Sequence, residues 1–170
     1  MTWSFFRNTL NQIHLKPNWL AETQMKIFTI GYEGRNFEEY LRLLEEHAVR
    51  IVVDVRRDPV SRKPGFSKRR MSELLAEAGI SYEHVPELGI AKERRSSVRT
   101  VEDSEKLLRW YREEVLEQEH GALKELMRFL DEFQQVALTC YEADPDRCHR
   151  KLVAEKLVDL RSGKIECMHL

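Results

Sequence analysis

The chain has 170 residues, 42% of them hydrophobic and 34% charged, with a formal net charge of -1. Those proportions suit one soluble globular domain with a sizeable core, and near-neutrality excludes a wholesale polyanion binder while leaving local patches open. No apolar run reaches the roughly 20 residues of a spanning helix, so no membrane partner is expected.

Residues 1–24 differ from the rest. Trp3, Phe5, Phe6 and Trp19 follow no sustained period there, and Pro17 interrupts them. The segment is expected to be an amino-terminal extension or arm, or else sequence ahead of a start at Met25, with a single domain over 25–170. It lacks the basic end, apolar stretch and small-residue cleavage site of a secretory leader. Three cysteines at irregular spacing make no disulfide framework, so a reducing cytoplasm is the expected location.

From Met25 onward, apolar runs alternate with helical patterns. "MKIFTIGY" reads as a strand that ends at Gly31. "NFEEYLRLLEEHAV" sets Phe37, Tyr40, Leu41 and Leu44 at helical intervals, with Asn36 as cap. "RIVVDVR" is the short, nearly continuous apolar run of a strand covered on both faces. A basic loop leads to a helix around "SKRRMSELLAEAG", with Ser67 as cap and Gly79 as stop. "ISYEHVP" is a third strand, and helical stretches over 103–119 and 121–134 break near Gly121. "QVALTCYE" is a fourth strand, followed by a helix from about Pro145 to Leu160, and "KIECMHL" suits a short final strand. The alternation predicts an α/β fold: a single three-layer domain with a mainly parallel sheet of four to five strands flanked by helices.

Parallel sheets bind ligands beyond the carboxyl ends of their strands. Nearly all the unusual chemistry of this chain follows a strand. After the second strand, Arg56, Arg57, Arg62, Lys63, Lys68, Arg69 and Arg70 face one acid, Asp58, and the next loop adds Lys92, Arg94, Arg95 and Arg99. Arginine forks pair with phosphate or carboxylate, so an anionic ligand is expected, held by Arg56, Arg62 and Arg150 with Ser61 as a further donor. Tyr32, just past the first strand, is expected to face the same crevice. Asp54 interrupts an apolar run, so it is either paired internally with Arg56 or Arg150, or a positioned acid–base group.

The turn "CYEADPDRCHR" gathers Cys140, Glu142, Cys148, His149 and Arg150 within eleven residues. Asp144 and Pro145 suit the cap and first position of a helix, which places Cys148, His149 and Arg150 in its first two turns. A helix amino end and nearby arginines favour a thiolate. Three chemistries compete here. Cys140 is a nucleophile in a strand–cysteine–loop–helix layout similar to rhodaneses and cysteine phosphatases, although Asp144 and Asp146 would repel an anion. Alternatively Cys140, Glu142, Cys148 and His149 hold zinc or another divalent metal, although the spacing fits no common motif and side-by-side helical ligands diverge. In the favoured chemistry Glu142 and Asp54 do acid–base work on an arginine-held anion, and no cofactor is expected. Against all three stands the possibility that Asp54–Arg56 and Glu142–Arg150 are structural pairs.

The segments "TIGYEGR" (29–35), "DVRRDPVSRKPGFS" (54–67), "GISYEHVPELG" (79–89) and "CYEADPDRCHRKLVAE" (140–155) together resemble the DUF488 family. The resemblance runs from residue 26 to about 160 and implies an α/β fold with a shared cluster of polar residues, but no particular activity. From the residues, the expected function is a hydrolase or transferase acting on an anionic, phosphate-bearing or nucleotide-like substrate. Asp54, Glu142 and Cys140 are its catalytic candidates. Tyr32, Arg56, Ser61, Arg62, Cys148, His149 and Arg150 are its binding candidates. The alternative is a non-catalytic module whose basic loops contact nucleic-acid phosphates.

Overall fold

A computed structural model describes residues 24–170; the expected amino-terminal arm therefore lies almost wholly outside the described residues. Five strands form one sheet: β1 (Met25–Gly31), β2 (Ile51–Asp54), β3 (Ser81–His84), β4 (Gln135–Cys140) and β5 (Ile165–His169). Their order is β3-β2-β4-β1-β5 and every pairing is parallel, as the alternating pattern predicts.

Helices cover both faces. α1 (Phe37–Glu46) and α2 (Lys68–Glu77) pack on one side, where Tyr40, Leu44, Met71 and Leu75 meet Phe28, Ile30, Val52 and Ala137. α3 (Lys92–Ser96) and α4 (Val101–Trp110) precede α5 (His120–Phe133), and α6 (His149–Leu160) follows β4. Leu126 and Leu130 of α5 join Val153 and Leu157 of α6 over Ile27, Val53, Val136 and Leu138 on the opposite side. Successive strand residues thus enter different cores, which is why both parities of β1 and β2 are apolar.

Local chemistry sets most boundaries. Asn36 caps α1 through a reciprocal box in which the Glu39 N–H donates to Asn36 Oδ1 at 2.9 Å and the Asn36 N–H donates to Glu39 Oε2 at 2.8 Å. Ser67 stands at the start of α2 but makes no capping bond with its side chain. Gly79 ends that segment at φ +73°. The long helical region breaks near Gly121 as expected: a π-helical turn, Tyr111–Val115, carries α4 onward, the chain leaves helix at Glu119, and α5 starts at His120, one residue ahead of Gly121.

The helix expected from Pro145 is also split. Asp144 accepts the Asp146 N–H at 2.9 Å and opens a single 3-10 turn, Pro145–Arg147. Cys148 is then extended, at φ -132° and ψ 135°, and α6 begins only at His149. No helix among the described residues is long and apolar enough to cross a membrane.

Candidate functional site

β2 and β4 are neighbours, yet the chain leaves them in opposite directions. From β2 it runs through α2 to β3 at one edge; from β4 it runs through α6 to β5 at the other. Diverging connections leave a gap at the strand ends, the usual ligand position in an open parallel sheet. A crevice of about 250 Å³ occupies this point. Arg56, Arg57, Arg62 and Arg95 border it with Ser61, while Tyr32, Cys140, Tyr141 and His149 supply other walls.

The arginines differ sharply in what they have left to offer. Arg56 is buried and uses all five of its donor hydrogens. Nε donates to Asp54 Oδ1 at 2.8 Å, and Nη2 donates to Asp54 Oδ2 at 2.5 Å and reaches Met71 Sδ at 4.0 Å. Nη1 donates to the Tyr32 hydroxyl at 2.7 Å and the Phe66 carbonyl at 3.0 Å. Arg56 therefore lends the crevice positive charge but no free hydrogen bond. Arg57 and Arg95 each spend one donor on a carbonyl, that of Pro86 at 3.3 Å and that of Ile90 at 3.1 Å. Arg62 is exposed, lines the crevice and donates to no other described residue, so its whole fork is uncommitted. Ser61 Oγ accepts the Lys63 N–H at 3.1 Å, which leaves its own hydrogen free.

Asp54 is the buried carboxylate behind this wall, and it is not part of the crevice lining. Besides the two bonds from the Arg56 guanidinium, it accepts the Arg56 N–H at 3.1 Å and the Tyr82 hydroxyl at 2.7 Å. Four accepted hydrogen bonds occupy both oxygens, so its geometry is that of the internal pair rather than of a free acid or base. Tyr82 was not legible as a site residue; only its place two residues before His84 on β3 hints at it. His84 in turn bridges the Arg56 carbonyl at 2.9 Å and Lys68 Nζ at 3.1 Å.

Arg150 is likewise absent from the crevice. It is completely buried at the start of α6, and its donors meet backbone: Nη1 reaches the Glu142 carbonyl at 2.6 Å and Nη2 the Ala143 carbonyl at 3.0 Å. The expected pair with the Glu142 carboxylate does not form, because that carboxylate turns the other way, toward two thiols. Arg150 shapes the loop after β4 and touches no ligand position.

Four side chains converge at and behind the crevice floor, of which Cys140 and His149 reach its lining. The thiols of Cys140 and Cys148 both lie 3.0 Å from one oxygen, Glu142 Oε2, and His149 Nδ1 lies 4.0 Å from each sulfur. The extended backbone at Cys148 makes this possible, since a helical Cys148 would point away from its neighbour's ring. His149 Nε2 sits 3.0 Å from the Val55 carbonyl. A carbonyl only accepts, so Nε2 carries a hydrogen and Nδ1 is the atom turned toward the sulfurs. Cys140, Cys148 and His149 form a buried group whose ligand atoms lie within 4.8 Å of one another, a set able to hold a metal ion.

The cluster's electrostatics follow from its burial. The hydrogen bond with Cys148, then burial, pushes the Cys140 thiol well up. Burial, then the charge of Cys148, raises Glu142. Burial opposes ionisation of Cys148 too, but hydrogen bonds from Cys140 and His149 outweigh it and hold that thiol well down. Burial disfavours the His149 cation, yet its contact with Cys148 more than offsets this and raises the imidazole. The two thiols therefore titrate as a linked pair, Cys148 ahead of Cys140, and Cys140 is the one that lines the crevice.

With this geometry in hand, a comparison with protein families matches the model described as "Domain of unknown function DUF488" over residues 36–157. The chain belongs to the DUF488 family. The matched span includes the arginine loop and the whole thiol turn, while "TIGYEGR" falls just ahead of it. No curated protein and no solved structure matches the chain.

Proposed function

We propose that this DUF488 protein binds a phosphate-bearing small molecule in the crevice between the ends of β2 and β4, and hydrolyses or transfers a group on it. The observation that carries this is one lining shared by free cationic donors and a reactive floor: Arg62, Arg57 and Arg95 stand over Cys140 and His149. Arginine donors favour a phosphate or carboxylate group, and Arg56 adds charge behind them. A crevice of about 250 Å³ seats a small ligand rather than a stretch of polymer.

Cys140 is the thiol placed to meet such a substrate. Its proton has a short path to Glu142, 3.0 Å away, and His149 lies 4.0 Å from the same sulfur. Burial, then the charge of Cys148, lifts the Glu142 carboxyl above its ordinary value, which makes it a stronger proton acceptor than a solvated carboxylate. Asp54, held by four hydrogen bonds, keeps Arg56 in place and takes no direct part.

Calorimetric titration tests this proposal with inorganic phosphate, pyrophosphate, a sugar phosphate, nucleoside mono- and diphosphates, and single- and double-stranded oligonucleotides. Saturable binding of at least one phosphorylated small molecule is expected. Arg62→Ala should weaken it about tenfold, the value of one charge-assisted contact, with an unchanged circular dichroism spectrum. Absence of binding across the small-molecule panel, or indifference to Arg62→Ala, overturns the proposal. Oligonucleotide binding with a steep salt dependence instead supports the nucleic-acid module.

A further inference from the structure

The geometry points to a divalent metal site, suited to zinc, at the crevice floor, with Cys140, Cys148 and His149 as its three protein ligands. The site stands on these three side chains and does not depend on the anion proposal. Tetrahedral zinc with bonds of about 2.3 Å to sulfur and about 2.0 Å to nitrogen separates those donors by about 3.5 Å. The Nδ1 atom of His149 lies 4.0 Å from both sulfurs, and Glu142 Oε2 lies 3.0 Å from both. The three ligand atoms lie within 4.8 Å of one another, so side-chain torsions that move each by up to about an ångström bring them to bonding distance around one centre, with Glu142 accepting beside the sulfurs.

Three features of the surroundings favour a built site over a chance cluster. First, the second nitrogen of His149 donates to the Val55 carbonyl at 3.0 Å, the outer contact that fixes ring orientation and leaves Nδ1 free to bind metal. Second, the loop carrying Cys140 and Glu142 is anchored by Arg150 at the Glu142 and Ala143 carbonyls, so the donors are held before any ion arrives. Third, the sequence-level objection falls away. Cys148 and His149 do not diverge as helical neighbours, because Cys148 is extended and only His149 starts α6.

The donor set itself indicates the class of ion. Two thiolates with an imidazole suit zinc or cobalt far better than magnesium or calcium, which take oxygen ligands. Three protein ligands with the fourth position left to water or substrate is also the pattern of a catalytic zinc site, and Cys140 and His149 border the crevice. Bound there, the ion supplies a Lewis acid beneath the arginines, and the sulfurs serve as ligands in that form.

Cobalt(II) titration of the chelator-treated full chain tests the site directly. One equivalent should bind, with a thiolate-to-cobalt charge-transfer band and the visible bands of tetrahedral cobalt, and zinc should displace it. Cys148→Ser and Cys140→Ser should each weaken binding by at least about tenfold and diminish the charge-transfer band. Cys167→Ser, on exposed β5, should leave the spectrum intact. Absence of thiolate bands in the wild type, or bands that persist undiminished in both Cys140→Ser and Cys148→Ser, overturns the proposal. The wild-type spectrum decides the matter even if a variant fails to fold. Arg62→Ala should leave the cobalt spectrum unchanged while weakening anion binding about tenfold, so the metal site and the anion proposal fail separately.

Discussion

The loop that leaves β2 and the loop that leaves β4 face each other across the crevice, and each carries a buried arginine used in the opposite way. After β2, Arg56 is matched to a carboxylate: Asp54 takes two of its donors, and Tyr32, Phe66 and Met71 take the rest. After β4, Arg150 meets only carbonyl oxygens, and its Nε has no partner at all. The carboxylate that could have paired with it, Glu142, instead accepts from two thiols. One side is a closed ion pair built for rigidity. The other gathers a carboxylate, two sulfurs and an imidazole with no arginine or lysine paired to the carboxylate, which is the expected layout of a place where chemistry or a cation belongs.

Glycine makes both loops possible in the same way. A Cβ on Gly31 would overlap the Glu142 carbonyl, and one on Gly89 would overlap the Arg57 backbone. Each loop is thus pressed against a neighbouring segment at a point where only a missing side chain leaves room. The crevice walls are fixed on both sides even though their polar logic differs.

The contrast can be broken most forcefully on the β2 side. Asp54→Asn leaves the buried Arg56 guanidinium without its partner, and loss of one member of such a pair costs about 3–5 kcal/mol. A chemical denaturation curve should show the midpoint falling accordingly; a loss below about 1 kcal/mol would mean that the pair contributes little to rigidity. On the β4 side, Arg150→Met keeps much of the volume but leaves two buried carbonyls unbonded, at about 2–3 kcal/mol. Its thermal midpoint should therefore fall by about 4–12 °C. An unchanged midpoint would show that water replaces Arg150 there without penalty.

These roles explain how much of the molecule was legible in its sequence. All five strands and the three-layer arrangement follow from apolar runs of the right length, and Asn36 and Gly79 mark real helix ends. The convergence of the post-strand loops also follows, since every parallel strand delivers its loop to the same rim. What the sequence does not encode locally is where donors point. "DVR" and "CHR" both present an arginine, and nothing in either triplet says that one will find a carboxylate and the other two carbonyls. Pro145 reads as a helix start and does start one, but only a single 3-10 turn. The extended Cys148 that follows is dictated by the burial of its thiol against Glu142 and His149, contacts that exist only after the sheet has formed. Tyr82 is invisible for the same reason, because its value lies wholly in reaching Asp54 from the adjacent strand.

The smallest of the expected effects sharpens the β2 side by its dependence on pH. Tyr82→Phe removes one hydroxyl bond to Asp54, 2.7 Å long, and should cost about 1–2 kcal/mol at neutral pH. Burial, then the Asp54 charge and this hydrogen bond, push the Tyr82 phenol above its ordinary value of 10.0. Burial does the same to Tyr40 and Tyr111. A group whose value is raised on folding stabilises the native state while both states are protonated. That contribution disappears as pH climbs past the unfolded value and the unfolded chain alone ionises. Thermal midpoints should therefore not be limited by these tyrosines below about pH 10 and should decline above it. The decline should be shallower in Tyr82→Phe, because one of the phenols raised on folding no longer titrates. Parallel slopes in the two proteins would place Tyr82 outside the buried network and leave Asp54 to Arg56 alone.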